Sequence, residues 1–184
     1  MEALIVDDKV KEEWVNGVYN MTPAASPRHN RVLNELQFYI RSYLEGKDCE
    51  LFRENIDLVL IEPTEVTAAM LGKMEKDTKV RPDLLVFCEQ KYVELGNNII
   101  GVPDFIIEVL SPGSVKWDKV VKKQKYLQAG VKEYWIIDPV EEEIFKYFEG
   151  QELTYIFEDS VKIETFENLE IDFSVIQKLF FKLG

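Results

Sequence analysis

Little in this sequence points to the cell exterior or to a membrane. Cysteine occurs twice, as Cys49 and Cys88. That count indicates no disulfide framework and fits a reducing compartment. Cys88 lies in an apolar run and reads as a small core residue. No apolar run approaches the length of a bilayer span. The first residues, MEALIVDDKVKEEW, lack the basic start and apolar stretch of a signal peptide. A cytoplasmic protein with no membrane partner is therefore expected. Positive charge is scarce as well: 22 Lys and Arg stand against 34 Asp and Glu, for a net charge of −12. Such a chain is not drawn to nucleic acid by bulk charge. A nucleic-acid role would need a local basic patch, or a metal ion that reverses the sign of a site. Internal repeats, low-complexity tracts and linkers are also missing.

What is present reads as ordinary globular protein, with 46% hydrophobic and 30% charged residues. A length of 184 residues suggests one domain with a substantial core. A first helix is expected from Pro27 to Leu44, capped by Ser26, with Val32, Leu33, Leu36, Ile40, Tyr43 and Leu44 on one apolar stripe. Strands are expected at 55–61, 80–88 and 103–111, and 62–79 reads as a mobile insertion. A second helix over 115–129 is capped by Ser114 and stopped at Gly130. Its inward stripe is read as Trp117, Val120, Val121, Gln124 and Leu127. A strand at 133–137 follows, with Trp135 in the core. Then comes a β-rich tail at 144–148, 153–157 and 161–166, and a terminal helix from Phe173 to Phe181. The order predicts an α/β (α+β) fold: a mixed central β-sheet flanked by helices, with a core over about 17–139 and a β-rich extension over about 140–184. The tail leaves sheet edges that need covering, so a homodimer is expected.

Two acids stand out because they sit in apolar strands. Glu108 lies inside FIIEVL, and Asp83 heads LLVF. An ionised Glu in such a run is costly to bury without a partner, a hydrogen-bond network or a metal. If the two strands pair antiparallel about the polar loop 89–102, partner numbers sum to 191, and Asp83 faces Glu108. Opposed side chains on one face stand roughly 5 Å apart at Cβ. That spacing suits two carboxylates sharing Mg²⁺, Mn²⁺ or Ca²⁺. Asp104 shares a face with Glu108 but would lie roughly 13 Å away along the strand, too far for one ion. The bland alternative makes both acids strand-end partners of Lys or Arg.

The second helix carries Lys116, Lys119, Lys122, Lys123 and Lys125. Lys122 flanks the inward stripe and could turn toward the sheet; equally, Asp118 and Lys122 at i, i+4 could form a surface ion pair. RPDLLV, PDFIIEVLSP and the run D-x-x-x-K-x-x-x-Y-x-x-A-G-V-x-E-Y-W-x-x-D-P from Asp118 to Pro139 resemble a family of small restriction-endonuclease-like proteins within the PD-(D/E)xK nuclease superfamily. The resemblance runs from about Gly17 to Pro139. It implies that Asp83 and Glu108 are the two metal-binding acids and that Mg²⁺ (or Mn²⁺) is the cofactor. The usual lysine two residues after the second acid is replaced by Leu110, and the resemblance implies that Lys122 takes its role. His29, on the apolar stripe of the first helix, is either a satisfied core residue or an accessory site residue, since SPRHNRVL resembles the family's helix start. The expected function is a metal-dependent endonuclease hydrolysing DNA, with Asp83, Glu108, Lys122 and, as accessory, His29 in the site. The rival expectation is a catalytically silent nuclease-fold module for binding or regulation.

Overall fold

Near-continuous apolar residues at 84–88 and 105–109 make both runs strands buried on two faces, and they pair inside a six-stranded sheet. The computed structural model describes residues 11–22, 25–54, 56–61 and 79–181. The chain opens with a hairpin of β1 (Lys11–Val15) and β2 (Val18–Thr22). Its turn is Asn16-Gly17, with φ of 51° and 73°. Both central residues are left-handed, and Asn-Gly accepts that geometry at little steric cost. The sequence reading assigned no strands here. The first helix, α1 (Pro27–Leu44), starts as expected, with the Ser26 side chain accepting from the His29 backbone N–H.

The next strands are β3 (Cys49–Arg53), β4 (Asp57–Val59), β5 (Lys79–Val80), β6 (Leu84–Cys88), β7 (Tyr92–Leu95), β8 (Asn98–Gly101) and β9 (Phe105–Val109). The expected polar loop at 89–102 is instead the β7–β8 hairpin, which joins β4 and β5 in a second sheet of order β5-β4-β8-β7. Ile99 and Ile100 are buried there, so this segment contributes to the core. A wide helical turn over Trp117–Lys122 runs into α2 (Lys123–Ala129), which ends at Gly130 with φ 87°. Beyond it lie β10 (Glu133–Asp138), β11 (Glu143–Phe148), β12 (Gln151–Ile156), β13 (Ser160–Lys162), β14 (Glu170–Asp172) and α3 (Phe173–Phe181). The central sheet runs β12-β11-β10-β9-β6-β3. Its only parallel pair is β9 with β10, bridged by the second helical segment. The segment at 62–78, read as a mobile insertion, lies outside the described residues.

Strand alternation sorts the side chains into two layers. Leu84, Val86, Phe105, Ile107, Val109 and Trp135 pack with Val32, Leu33, Leu36 and Ile40 of α1 and with C-terminal residues such as Phe173. Leu85, Phe87, Ile106, Leu110 and Ile136 pack with Trp117, Tyr126 and the second sheet. One expectation is overturned. Cys49 and Cys88 face each other across β3 and β6 and form a disulfide, with Cα atoms 4.0 Å apart. Counting cysteines missed this because β3 was not recognised as the cross-strand partner of β6. Among the described residues no helix is long and apolar enough to cross a membrane.

Candidate metal and nuclease site

The observed register of β6 and β9 is Leu84↔Ile107, Leu85↔Ile106 and Val86↔Phe105. Each pair sums to 191, so the expected alignment holds even though the connection is not a simple loop. Asp83 and Glu108 follow at the end of this ladder and are 3% and 0% exposed. Asp83 Oδ2 accepts from the Val109 backbone N–H at 2.8 Å and lies 3.2 Å from His29 Nε2. Glu108 Oε1 accepts from the Tyr126 hydroxyl at 2.7 Å. Asp104 stands apart: it accepts from the Cys88 backbone N–H at 2.8 Å and pairs with Lys132 at 2.5 Å. Leu110, where a lysine is usual, is buried in the apolar layer.

The second helical segment delivers Lys122 to this site. Its turn over Trp117–Lys122 is a π-turn, which holds one residue more than an α-turn and shifts which positions face inward. Asp118, Lys122 and Tyr126 are buried, while Val120 and Leu127 are 56% and 44% exposed. Of the predicted inward stripe, Trp117 is buried and Val121 packs against the core, while Val120, Gln124 and Leu127 face outward. The inner face also carries polar residues, which hydrophobic periodicity does not mark. Lys122 Nζ lies 2.5 Å from Glu108 Oε1, 2.9 Å from Glu13 Oε1 and 3.1 Å from Asp118 Oδ1. The i, i+4 pair with Asp118 exists, but it is buried and not on the surface.

Two site residues were not anticipated, and both come from β1. Glu13 is 1% exposed. It accepts from Trp117 Nε1 at 3.0 Å and from the Arg81 backbone N–H at 2.8 Å, besides pairing with Lys122. Lys11 Nζ lies 2.9 Å from Asp83 Oδ1 and 3.7 Å from Glu108 Oε2. The available signal was the Asn16-Gly17 turn between KEEWV and VYNMT, which marks a hairpin whose alternate residues 11, 13 and 15 share one face.

These neighbours divide the two central carboxylates. One oxygen of each, Asp83 Oδ2 and Glu108 Oε1, is held by protein donors. The other two, Asp83 Oδ1 and Glu108 Oε2, turn toward the Lys11 ammonium, and Glu108 Oε2 has no hydrogen-bond partner. Among the described residues no three His, Cys, Asp or Glu side chains form a ready metal cage. Two carboxylate oxygens that face no protein group but the Lys11 ammonium nevertheless fit Mg²⁺ or Mn²⁺. Mg²⁺ in particular binds through one or two carboxylates and keeps several waters.

The charges are unevenly held. Burial would raise the Asp83 carboxyl, but the Lys11 ammonium, with His29, outweighs it and keeps the group far below the usual range. Burial dominates at Glu108 and lifts it to about 8, despite Lys122 and Lys11. Asp118 is likewise raised by burial against the pull of Lys122. Burial would lower Lys122, yet Asp118, Glu108 and Glu13 together hold it well above an ordinary lysine. Four carboxyl groups thus surround two ammonium groups.

A family model designated Uma2 and described as "Putative restriction endonuclease" matches residues 1–174. A solved structure from Anabaena variabilis, described as a putative nuclease belonging to DUF820, superposes with a TM-score of 0.71 over 91% of this chain and 89% of its own, at 20% identity. That likeness is one of fold. No curated protein matches the chain.

Proposed function

Because the chain belongs to the Uma2 family of restriction-endonuclease-like proteins, we propose that it is a metal-dependent endonuclease hydrolysing DNA phosphodiester bonds. The observation that carries this reading is the opposed pair Asp83 and Glu108, each with one oxygen held by neighbouring donors and the other turned toward Lys11. Asp83 and Glu108 would hold Mg²⁺ or Mn²⁺. Such an ion, when bound, supplies Lewis-acid stabilisation of the phosphoryl charge and a more acidic water. His29 and the Val109 N–H orient Asp83; Tyr126 orients Glu108. Lys122 offers a fixed positive charge beside Glu108, suited to positioning a water or countering charge on the phosphate.

The direct test is cleavage of plasmid and single-stranded DNA with Mg²⁺ or Mn²⁺ by the native protein and by Glu108→Ala. Loss of cleavage in the variant supports the assignment; cleavage that survives it sinks it. One observation favours a second reading, a catalytically silent binding or regulatory module. Lys122 is enclosed by Glu13, Glu108 and Asp118, and a lysine so enclosed can serve as a structural counter-ion alone. No binding of Mg²⁺ or Mn²⁺ at millimolar concentration by calorimetric titration would favour that module.

A further inference from the structure

Resting on the metal-site reading above, we infer that Lys11 is a tethered counter-ion that occupies the bridging position between Asp83 and Glu108, and that a divalent cation must displace it to bind. Three observations carry this. The Lys11 ammonium contacts Asp83 Oδ1 and Glu108 Oε2, the two oxygens that no other protein group holds. Glu108 Oε2 is buried and without a hydrogen-bond partner, and the ammonium at 3.7 Å is too distant to satisfy it. Lys11 is also the one member of the cluster with a way out. Its side chain is 22% exposed, against 5% for Asp83, 1% for Glu108 and 0% for Lys122. The long flexible stem lets its head move to water while the strand stays paired.

Lys11 and Lys122 then have different tasks. Lys122 is fixed among Glu13, Glu108 and Asp118 and stays in place. Lys11 places its ammonium against one oxygen of each acid before the ion arrives, and it sets the affinity for that ion by competing for the same oxygens. A divalent ion entering while Lys11 leaves adds one net positive charge to a cluster in which acids outnumber lysines.

The experiment is calorimetric titration of Mn²⁺ into the metal-free native protein, Lys11→Met and Lys11→Gln. It is paired with reductive methylation of the native protein, reading Lys11 modification by mass spectrometry with and without Mn²⁺. Both variants should bind Mn²⁺ roughly tenfold tighter or more, as expected for removing a cation within a few ångströms. Lys11 in the native protein should become more reactive as Mn²⁺ saturates. Binding by the variants alone would support the exchange in its strongest form. Native binding with unchanged or weaker affinity in both variants overturns the exchange and leaves the metal site standing. No Mn²⁺ binding by any of the three proteins overturns the metal site, and the exchange with it. If neither variant folds, as judged by circular dichroism, the methylation decides: Lys11 reactivity unaltered by Mn²⁺ overturns the exchange.

Discussion

Two lysines lie buried among carboxylates on opposite faces of the central sheet, and they are held in different ways. Lys146 of β11 donates to the Lys162 carbonyl at 2.6 Å and to Glu164 at 3.1 Å, with Glu133 at 3.7 Å. Glu133 in turn accepts from Trp135 Nε1 and from the Thr165 backbone N–H. Every charged group there has an aligned partner. Around Lys122, three carboxylates crowd one ammonium without an aligned hydrogen bond, and Glu108 Oε2 and His29 Nδ1 are also unpartnered. Buried polar networks are stable when fully satisfied. A network left incomplete, beside opposed acids, has capacity for something the chain does not itself supply. The comparison teaches that burial and charge alone do not separate the two clusters; whether the charged groups have aligned hydrogen bonds does.

The sharpest way to break this contrast is to neutralise one acid in each cluster. Glu108→Gln should lower DNA cleavage by about a hundredfold or more, while Glu133→Gln should leave it within about twofold. Equal losses in both would mean that the site extends well beyond Asp83 and Glu108. The lysines come next. Lys122→Met leaves Glu13, Glu108 and Asp118 with no fixed cation among them, and should destabilise the fold by about 3–5 kcal/mol in urea titrations. Lys146→Met should cost less, about 1–3 kcal/mol, because Glu133 keeps two donors. The reverse order would show that the Lys122 cluster is relaxed by water or protonation.

Dependence on pH gives a finer measure. Burial lifts Glu108 from 4.5 to about 8 in the folded chain. Between those values the folded metal-free protein binds a proton that the unfolded chain has released, so stability falls as pH rises across the window and is fully retained below it. Asp118 and Glu133, also raised by burial, act in the same sense. Asp83 and Glu13, held low, act oppositely but only below the ordinary carboxylate range. Melting temperatures in chelator should therefore decline from about pH 5 to about pH 8, and Glu108→Gln should flatten the decline. The smallest effect belongs to Tyr126→Phe, which removes one donor from Glu108 and should lower cleavage by about fivefold, roughly 1 kcal/mol.

Much of the framework was legible from residues alone. α1 and α3 occupy their expected spans, because stripe and cap agree in the first and a short apolar run defines the second. The pairing of β6 with β9 followed from symmetric antiparallel pairing about 89–102, and that register holds although the segment forms its own hairpin. What failed did so for physical reasons. The inner face of the second helical segment carries Asp118, Lys122 and Tyr126, so polarity pointed away from the sheet when the side chains point toward it. The π-turn, a matter of backbone winding, left no signature in composition. Glu13 and Lys11 are two among the many charged residues of an acidic chain, and only the tertiary position of β1 separates them from the rest. The Cys49–Cys88 bond likewise depended on recognising β3.

The short hairpin that supplies Lys11 and Glu13 has a consequence for when the protein can work. β1 and β2 form a two-stranded ribbon separate from the six-stranded sheet, and such ribbons open at lower free energy than central strands. Asp83 and Glu108 sit at the end of the β6–β9 ladder, but two of the groups around them, Lys11 and Glu13, ride on the ribbon. Local opening of the ribbon would withdraw Lys11 and Glu13 together while the central sheet stays paired, so on warming hydrogen exchange should report β1 and β2 opening before β6 and β9.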